Sequence, residues 1–189
     1  MRLANCVLLC SSLLFSHAAA AAELPQRWVS SGGSLSEWVV RLGGEGRLVG
    51  VDTTSLHPQS LRQLPSVGYQ RALSAEGVLS LRPDILIGSE EMGPPPVVAQ
   101  IAAAGVRVES LSAKPDLATL ERNVLSLGEL LGVPAQAREQ MAAYRQQLQD
   151  QAQWVAEARR TQAPPRVVML LGHAGSNLMA AGQGSLAVW

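Results

Sequence analysis

The chain has 189 residues and a formal net charge of zero, and it contains no long run of basic or acidic side chains. This balance of charge argues against nucleic acid as a partner. The length allows one domain, or one domain together with part of another.

The first 22 residues have the layout of a secretory signal peptide. Arg2 supplies a positive charge, an apolar core covers residues 6–15, and a run of alanines follows. We expect cleavage near Ala22, with lipoprotein processing at Cys10 as the alternative. The apolar core is too short to remain as a membrane-spanning helix. Cys6 and Cys10 both lie in this segment, so the mature chain is expected to have no thiol, which suits the bacterial periplasm.

Residues 23–133 are predicted to form one α/β lobe, because strand and helix signals alternate along them. Strands are predicted at residues 27–31, 47–51, 84–88 and 106–111. Helices are predicted to begin near Ser34, Ser74, Pro94 and Asp116, since these residue types are favoured at helix starts. The apolar run Ile85-Leu86-Ile87 is typical of a strand that is buried on both faces of a parallel sheet. The order of elements therefore predicts a parallel sheet with helices on its faces.

A long helix is predicted over residues 134–161, because this segment contains neither glycine nor internal proline and is rich in helix-forming residues. At ~1.5 Å per residue it would be on the order of 40 Å long, enough to run the length of a domain. Tyr144 falls on the apolar stripe of this helix and is interpreted as a packing residue, as are Trp28 and Trp38 in the preceding lobe.

A new strand is predicted at residues 166–171, followed by the start of a helix where the sequence ends. These elements are too few to bury their own apolar faces. Either they pack onto the first lobe, or residues 165–189 are the beginning of a second α/β lobe that is incomplete in this sequence, and we favour the second interpretation. The helix at residues 134–161 would then connect the two lobes.

The segment at residues 64–71 carries the most specific chemistry in the chain. It holds Tyr69, one of only two tyrosines, and Arg71 two residues later. In a locally extended loop these two side chains project to the same side, where the guanidinium would favour the phenolate. A phenolate is a hard oxygen ligand that suits ferric iron, and tyrosine is a known axial ligand of haem. The alternative is a surface turn whose tyrosine packs on its own domain.

Several segments together resemble one family. They are Arg27-Trp28-Val29, Gly32-Gly33, Glu37-Trp38-Val39 and residues 48–54, 64–71 and 73–84. With these segments the chain resembles the periplasmic haem-binding proteins of bacterial ABC haem importers, in which one rigid helix joins two α/β lobes. Residues 73–84 are similar to siderophore and cobalamin binders as well, so they indicate fold more than ligand. Gly68-Tyr69-Gln70-Arg71 is the part that is similar to the haem branch.

The resemblance implies a function and a set of site residues. Tyr69 would be the axial ligand of the iron in a transported haem b, and Arg71 would support it. His173, at the end of the second-lobe strand, would be an additional haem ligand, or else a loop histidine bonded to backbone. The carrier would be a periplasmic monomer that delivers haem to an inner-membrane ABC permease with its ATPase. Glu90 and Glu91 are candidates for docking the permease, against an interpretation as solvated loop charges.

Two other function classes follow from the same sequence. The fold-level resemblance allows a binder of a ferric siderophore or of cobalamin, which is the alternative ligand class. An enzyme is the weakest hypothesis, because the sequence contains no nucleophile elbow, no glycine-rich phosphate loop and no paired histidine and carboxylate. The expected activity is therefore binding and delivery without a reaction.

Overall fold

The structure is a computed structural model, and it describes residues 24–171 and 179–180. In chain order its strands are β1 (Trp28–Ser31), β2 (Leu48–Val51), β3 (Gly68–Tyr69), β4 (Ala72–Leu73), β5 (Ile85–Ser89), β6 (Arg107–Leu111), β7 (Leu170–Leu171) and β8 (Met179–Ala180). Its α-helices are α1 (Gly33–Arg41), α2 (Ala75–Ser80), α3 (Pro95–Ala103), α4 (Leu117–Leu131) and α5 (Pro134–Thr161). The predicted signal peptide, residues 1–22, and His173 lie outside the described residues.

Four parallel strands form the main sheet, in the order β2-β1-β5-β6. Three consecutive side chains of β5, Ile85, Leu86 and Ile87, have no exposed surface. Complete burial of an aliphatic side chain contributes about 1.5–3 kcal/mol, so this strand is a major source of stability. The predicted α/β class and the buried parallel strand are confirmed.

Helices cover both faces of the sheet. Side chains along a strand alternate between these faces with period two, so neighbouring residues of one strand enter different cores. On one face Trp28 and Ile85 join a core that includes Trp38 of α1, Leu127 of α4 and Met141 of α5. On the other face a second core consists mainly of side chains from β1, β5, α2 and α3, which are Val29, Leu86, Val78, Ile101 and their neighbours. Trp28 and Trp38 are therefore core residues, as predicted.

The helix starts agree with the sequence signals, with one exception. The Ser74 hydroxyl accepts a hydrogen bond from the Gly77 backbone N–H at the start of α2, at 3.0 Å. The Asp116 carboxylate caps α4 in the same way. Ser34 was predicted to be the N-cap of α1, and this is wrong, because Gly32 is the N-cap. The helix starts at Gly33 after Gly32, whose φ of 115° lies in a region that glycine tolerates and other residues rarely adopt.

The long helix α5 spans 28 residues, Pro134–Thr161, with the bounds predicted from the sequence. Its first half packs on the lobe: Met141 is buried, and the ring of Tyr144 meets that of Trp38 edge-on, with 5.9 Å between centroids. Its second half is more open, and Trp154 is 73% exposed. Among the helices in the described part of the chain, none is long and apolar enough to cross a membrane.

The strand predicted at residues 166–171 is wrong in extent. Only β7 is paired there, and it runs antiparallel to β8. Val167 and Val168 precede it and are 77% and 76% exposed. Apolar and β-branched side chains favour a strand only where a neighbouring strand or face covers them, and none of the described residues does so here.

Candidate functional site

The carboxyl ends of the four parallel strands meet at one edge of the sheet, where open α/β folds bind their ligands. Four connections begin at this edge. They are Gly32 after β1, Asp52–Thr54 after β2, Glu90–Gly93 after β5 and Ser112–Lys114 after β6. The candidate site is built from these connections and from the hairpin that β3 and β4 form.

The β3–β4 hairpin is attached to two of these connections by backbone hydrogen bonds. The Thr53 N–H donates to the Gly68 carbonyl at 2.9 Å, which joins the hairpin to the connection after β2. On the other side, the Gly93 N–H donates to the Gln70 carbonyl at 2.9 Å, and the Leu73 N–H donates to the Gly93 carbonyl at 2.8 Å. The hairpin is thereby fixed at the carboxyl edge of the sheet.

Tyr69 lies at the end of β3, immediately before the two-residue turn of the hairpin. Its side chain is 44% exposed, so the phenol is open to solvent and is not packed into the lobe. The turn depends on Gly68, whose φ is 97° and where an added Cβ would lie 3.0 Å from the Ala72 carbonyl oxygen. The sequence therefore produces a tight hairpin that presents the tyrosine at the sheet edge.

Arg71 occupies the turn of the hairpin, and its guanidinium is bound to Glu91. The distance from Arg71 Nη2 to Glu91 Oε2 is 2.7 Å, and both side chains are exposed. The hydrogen bond and charge of Glu91 raise the pKa of Arg71 above its ordinary value, and the charge of Tyr69 adds to the effect. The guanidinium is therefore held by Glu91 at the turn of the hairpin. Sequence reasoning missed the contact with Glu91, because no local pattern connects two residues that are 20 positions apart.

Glu90 binds backbone of the neighbouring connection. Its carboxylate accepts a hydrogen bond from the Ala113 N–H at 3.2 Å, and its own N–H donates to the Leu111 carbonyl at 2.9 Å. Glu90 therefore joins the connections that follow β5 and β6. Both Glu90 and Glu91 are exposed, and each has a partner within the lobe.

A buried carboxylate organises the other half of the site. Asp52, which is 2% exposed, accepts hydrogen bonds from the Gly32 N–H at 2.9 Å and the Ser55 hydroxyl at 2.7 Å. Its second oxygen accepts from the Thr54 hydroxyl at 2.7 Å and the Thr54 N–H at 3.2 Å. The Thr54 hydroxyl in turn accepts from the Gly33 N–H at 3.0 Å. These bonds hold the start of α1 against the connection that carries the hairpin.

Sequence reasoning singled out no role for Asp52. The available signal was its position directly after a predicted strand, followed by the polar residues Thr53, Thr54 and Ser55. The hydrogen bonds around Asp52 continue through further hydroxyls, because the Ser36 hydroxyl lies 2.7 Å from those of both Ser30 and Ser55. These contacts depend on how α1 crosses the sheet, so spacing along the chain did not reveal them.

A cavity of about 820 Å³ opens at this edge, between the sheet, α4 and α5. That volume falls within the range of roughly 300–1,000 Å³ that is usual for small-molecule sites. Its lining includes the segment Ser31–Leu35, Gln70 of the hairpin, Lys114, and the side chains of Tyr144 and Leu148 on α5. Tyr144 was interpreted as a packing residue. It does pack on Trp38, and it also borders this space.

The site contains no conventional metal cluster. Within residues 24–171 and 179–180, no three histidine, cysteine, aspartate or glutamate side chains come together in an arrangement that could hold a metal ion.

The chain was compared with known proteins. The curated vitamin B12-binding protein of Pectobacterium atrosepticum is 27% identical over 132 residues, which cover 68% of this chain and 46% of that protein. The crystal structure of a periplasmic haem-binding protein from Pseudomonas aeruginosa is 66% identical, with a TM-score of 0.81 over 85% of this chain and 57% of the other. The periplasmic haem-binding protein RhuT from Roseiflexus is 35% identical, with a TM-score of 0.75, and the match covers 85% of this chain and 60% of RhuT.

The chain thus spans about half the length of its curated relative and less than two thirds of these solved structures. The sequence profile of the family described as periplasmic binding protein matches residues 29–187, which is most of the chain. The chain therefore belongs to the periplasmic binding protein family.

Proposed function

We propose that this protein binds haem b in the periplasm and delivers it to an inner-membrane ABC permease with its ATPase. One observation carries the proposal: the phenol of Tyr69 is exposed on a hairpin at the carboxyl edge of the sheet. That edge is where α/β folds bind ligands, and a phenolate is an established axial ligand of haem iron. Tyr69 is accordingly the proposed metal ligand.

The similarity to haem-binding proteins supports this choice of ligand. The P. aeruginosa protein is 66% identical to this chain, whereas the vitamin B12-binding relative is 27% identical over a shorter stretch. A binding protein of this kind carries its ligand unchanged, so no reaction is proposed. We infer the periplasm as its location from the family and from the predicted signal peptide at residues 1–22.

Arg71 is proposed to support the bond between Tyr69 and the iron by interacting with the phenolate as well as with Glu91. In the structure its guanidinium binds Glu91. When Tyr69 loses its proton to bind ferric iron, the phenolate becomes a second anion within reach of the same guanidinium, and it is stabilised by that charge. Glu91 then modulates the site as well as being a candidate for docking, because an arginine of the permease that bound Glu91 would compete with Arg71.

The remaining proposals concern the domain organisation, a second haem ligand, the docking residues and the oligomeric state. Residues 23–133 are proposed as the first lobe, residues 134–161 as the connecting helix, and residues 165–189 as the beginning of a second lobe. His173 in that segment is proposed as an additional haem ligand. Glu90 and Glu91 are proposed to dock the permease, and the carrier is proposed to act as a monomer.

Cobalamin is the second candidate ligand, because the curated relatives are vitamin B12-binding proteins. Haem and cobalamin would interact with Tyr69 in different ways. Ferric haem offers an open axial position that a phenolate can fill, whereas a cobalamin would need Tyr69 only as a surface contact. A ferric siderophore likewise arrives with its iron already chelated.

The test is an absorbance titration of the protein with haemin, beside the variant Tyr69→Phe. Wild-type protein is expected to give the charge-transfer band of tyrosinate-bound ferric haem, and the variant is expected to lose it. Affinity for haemin should fall by about tenfold or more if the iron–oxygen bond contributes more than about 1.4 kcal/mol. Tyr69→His, which supplies an imidazole ligand instead, is expected to restore binding with a different spectrum.

Metal-free protoporphyrin IX is the matched control ligand, because it has no iron for Tyr69 to bind. Its affinity should be the same for wild type and Tyr69→Phe. An unchanged haemin spectrum in Tyr69→Phe would refute the ligand assignment. Wild-type protein that binds cyanocobalamin and ignores haemin would refute haem transport and favour the second candidate.

A further inference from the structure

Glu91 lies beside the hairpin that carries Tyr69, in the connection that follows β5. Two backbone hydrogen bonds attach this connection to the hairpin. The Gly93 N–H donates to the Gln70 carbonyl, and the Leu73 N–H donates to the Gly93 carbonyl. The fold therefore holds the backbone of the connection against the turn, and the ion pair between the Glu91 and Arg71 side chains is an addition to that attachment.

Arg71 belongs to the same turn as the proposed iron ligand. Tyr69 pairs with Ala72 across the hairpin, so Gln70 and Arg71 form the two-residue turn between them. A trans backbone extends at most about 3.6 Å per residue, so the Cα atoms of Tyr69 and Arg71 lie within about 7 Å of each other. The charge of Tyr69 contributes to the raised pKa of Arg71, in agreement with that separation. A phenolate at Tyr69 and the carboxylate of Glu91 would therefore share one guanidinium.

Sharing a guanidinium makes the two anions competitors. A positive charge stabilises a neighbouring phenolate. Glu91 binds Arg71 at 2.7 Å, which cancels much of that positive charge and adds a negative charge of its own. The side chains of Arg71 and Glu91 are 55% and 44% exposed, so solvent screens the pair and the effect on the phenolate is moderate.

We propose that Glu91 weakens the bond between Tyr69 and ferric iron by neutralising Arg71. This inference rests on the proposed function, since it requires iron bound to Tyr69. Glu91 acts through Arg71 and is therefore a positioning residue for the guanidinium, which it holds away from full interaction with the phenolate. A permease arginine that bound Glu91 would by the same reasoning strengthen the iron bond, so the release of haem would have to be driven by another contact.

The test is a double-mutant cycle on haemin binding, with Glu91→Gln, Arg71→Met and the double variant. Glutamine keeps an acceptor for the Arg71 guanidinium and removes only the charge. Glu91→Gln is expected to bind haemin about two- to fivefold more tightly and to release it more slowly, which is the effect expected of an exposed ion pair. In the Arg71→Met background the same substitution should lose most of its effect.

The charge-transfer band supplies a readout that a merely structural role would not change. With Glu91 neutral, Arg71 stabilises the phenolate electrons more strongly, so their transfer to the iron requires more energy. The band of Glu91→Gln should therefore move to shorter wavelength. Glu37→Gln is the matched control, because it neutralises one partner of an exposed pair with Arg41 on α1, and neither residue of that pair lines the cavity.

Two results would overturn the inference. One is a Glu91→Gln variant that binds haemin with wild-type affinity or more weakly. The other is an equal effect of this substitution with and without the Arg71 guanidinium. In both cases haem binding through Tyr69 stands, because its own test is the loss of the band in Tyr69→Phe. If the wild-type protein does not bind haemin, the proposed function fails and this inference fails with it.

Discussion

Replacing Asp52 by asparagine is expected to destabilise the lobe, because this carboxylate accepts four hydrogen bonds in a buried position. Each oxygen accepts one hydroxyl and one backbone N–H. Asparagine keeps one oxygen and replaces the other with a donor. A hydroxyl can rotate to accept from the new amide, but the backbone N–H of Gly32 or Thr54 cannot, so one part-buried donor loses its partner.

The expected loss of stability follows from the number of donors that lose their acceptor. A hydrogen bond to a charged group contributes about 1.5–3 kcal/mol, so the loss of one in Asp52→Asn should lower the free energy of unfolding by up to about that amount. Asp52→Ala removes both acceptors and leaves two backbone donors unsatisfied, so a loss of about 2–5 kcal/mol is expected. Against a total stability of about 5–15 kcal/mol for a domain, the alanine variant would be close to unfolding.

Urea unfolding monitored by tryptophan fluorescence is the appropriate assay, because Trp28 and Trp38 lie in the core of the lobe. The midpoint should fall while the slope stays the same, which identifies a change in stability. Glu139→Gln makes the same chemical change at an exposed site with no side-chain hydrogen bond in the described structure. Equal unfolding free energies for Asp52→Asn and Glu139→Gln would refute the reasoning.

Two further predictions concern the packing of α4 on α5 and the loss of folding stability at acid pH. Gly128→Ala should lower the free energy of unfolding by about 1–3 kcal/mol, because the new Cβ would lie 2.4 Å from the Cβ of Ala137 and the helices must separate. Gly46→Ala, where nothing lies within 4 Å, is its control, and equal melting temperatures for the two variants would contradict the prediction. Backbone N–H groups of Gln26 and Arg27 lower the pKa of Asp84. Its stabilising contribution is therefore complete above about pH 4 and is lost as the pH falls through the lowered pKa. Asp84→Asn should lower the melting temperature at pH 7, with a difference from wild type that shrinks towards pH 3, and a difference independent of pH would count against this cause.

Much of the fold could be predicted because its signals are local. The apolar run of β5, the cap at Asp116 and the glycine-free stretch of α5 all depend on residues close together in the chain. Ser34 failed as a helix cap for a nonlocal reason, because the N–H groups of Gly32 and Gly33 are held by Asp52 and Thr54 from the next connection. The strand at residues 166–171 failed because β-propensity is realised only against a neighbouring strand.

The candidate site was predictable only in part. The segment around Tyr69 was predicted to be a locally extended loop, with exposure or packing of the tyrosine left open, and the structure has a short hairpin there. The contact between Arg71 and Glu91 and the burial of Asp52 arise where separate connections meet at the sheet edge. The spacing of residues along the chain does not indicate these contacts between connections, so only the structure could reveal them.

The position of Asp52 links the two halves of the proposed site. Its first oxygen holds the start of α1, which lines the cavity, and its second oxygen holds Thr54. The adjacent Thr53 N–H holds the hairpin that carries Tyr69. A porphyrin is rigid, so its iron and its ring can be bound together only if the hairpin keeps a fixed position relative to the cavity. Asp52→Asn should therefore weaken haemin binding in the absorbance titration, although Asp52 itself is buried, and an unchanged affinity would count against this link.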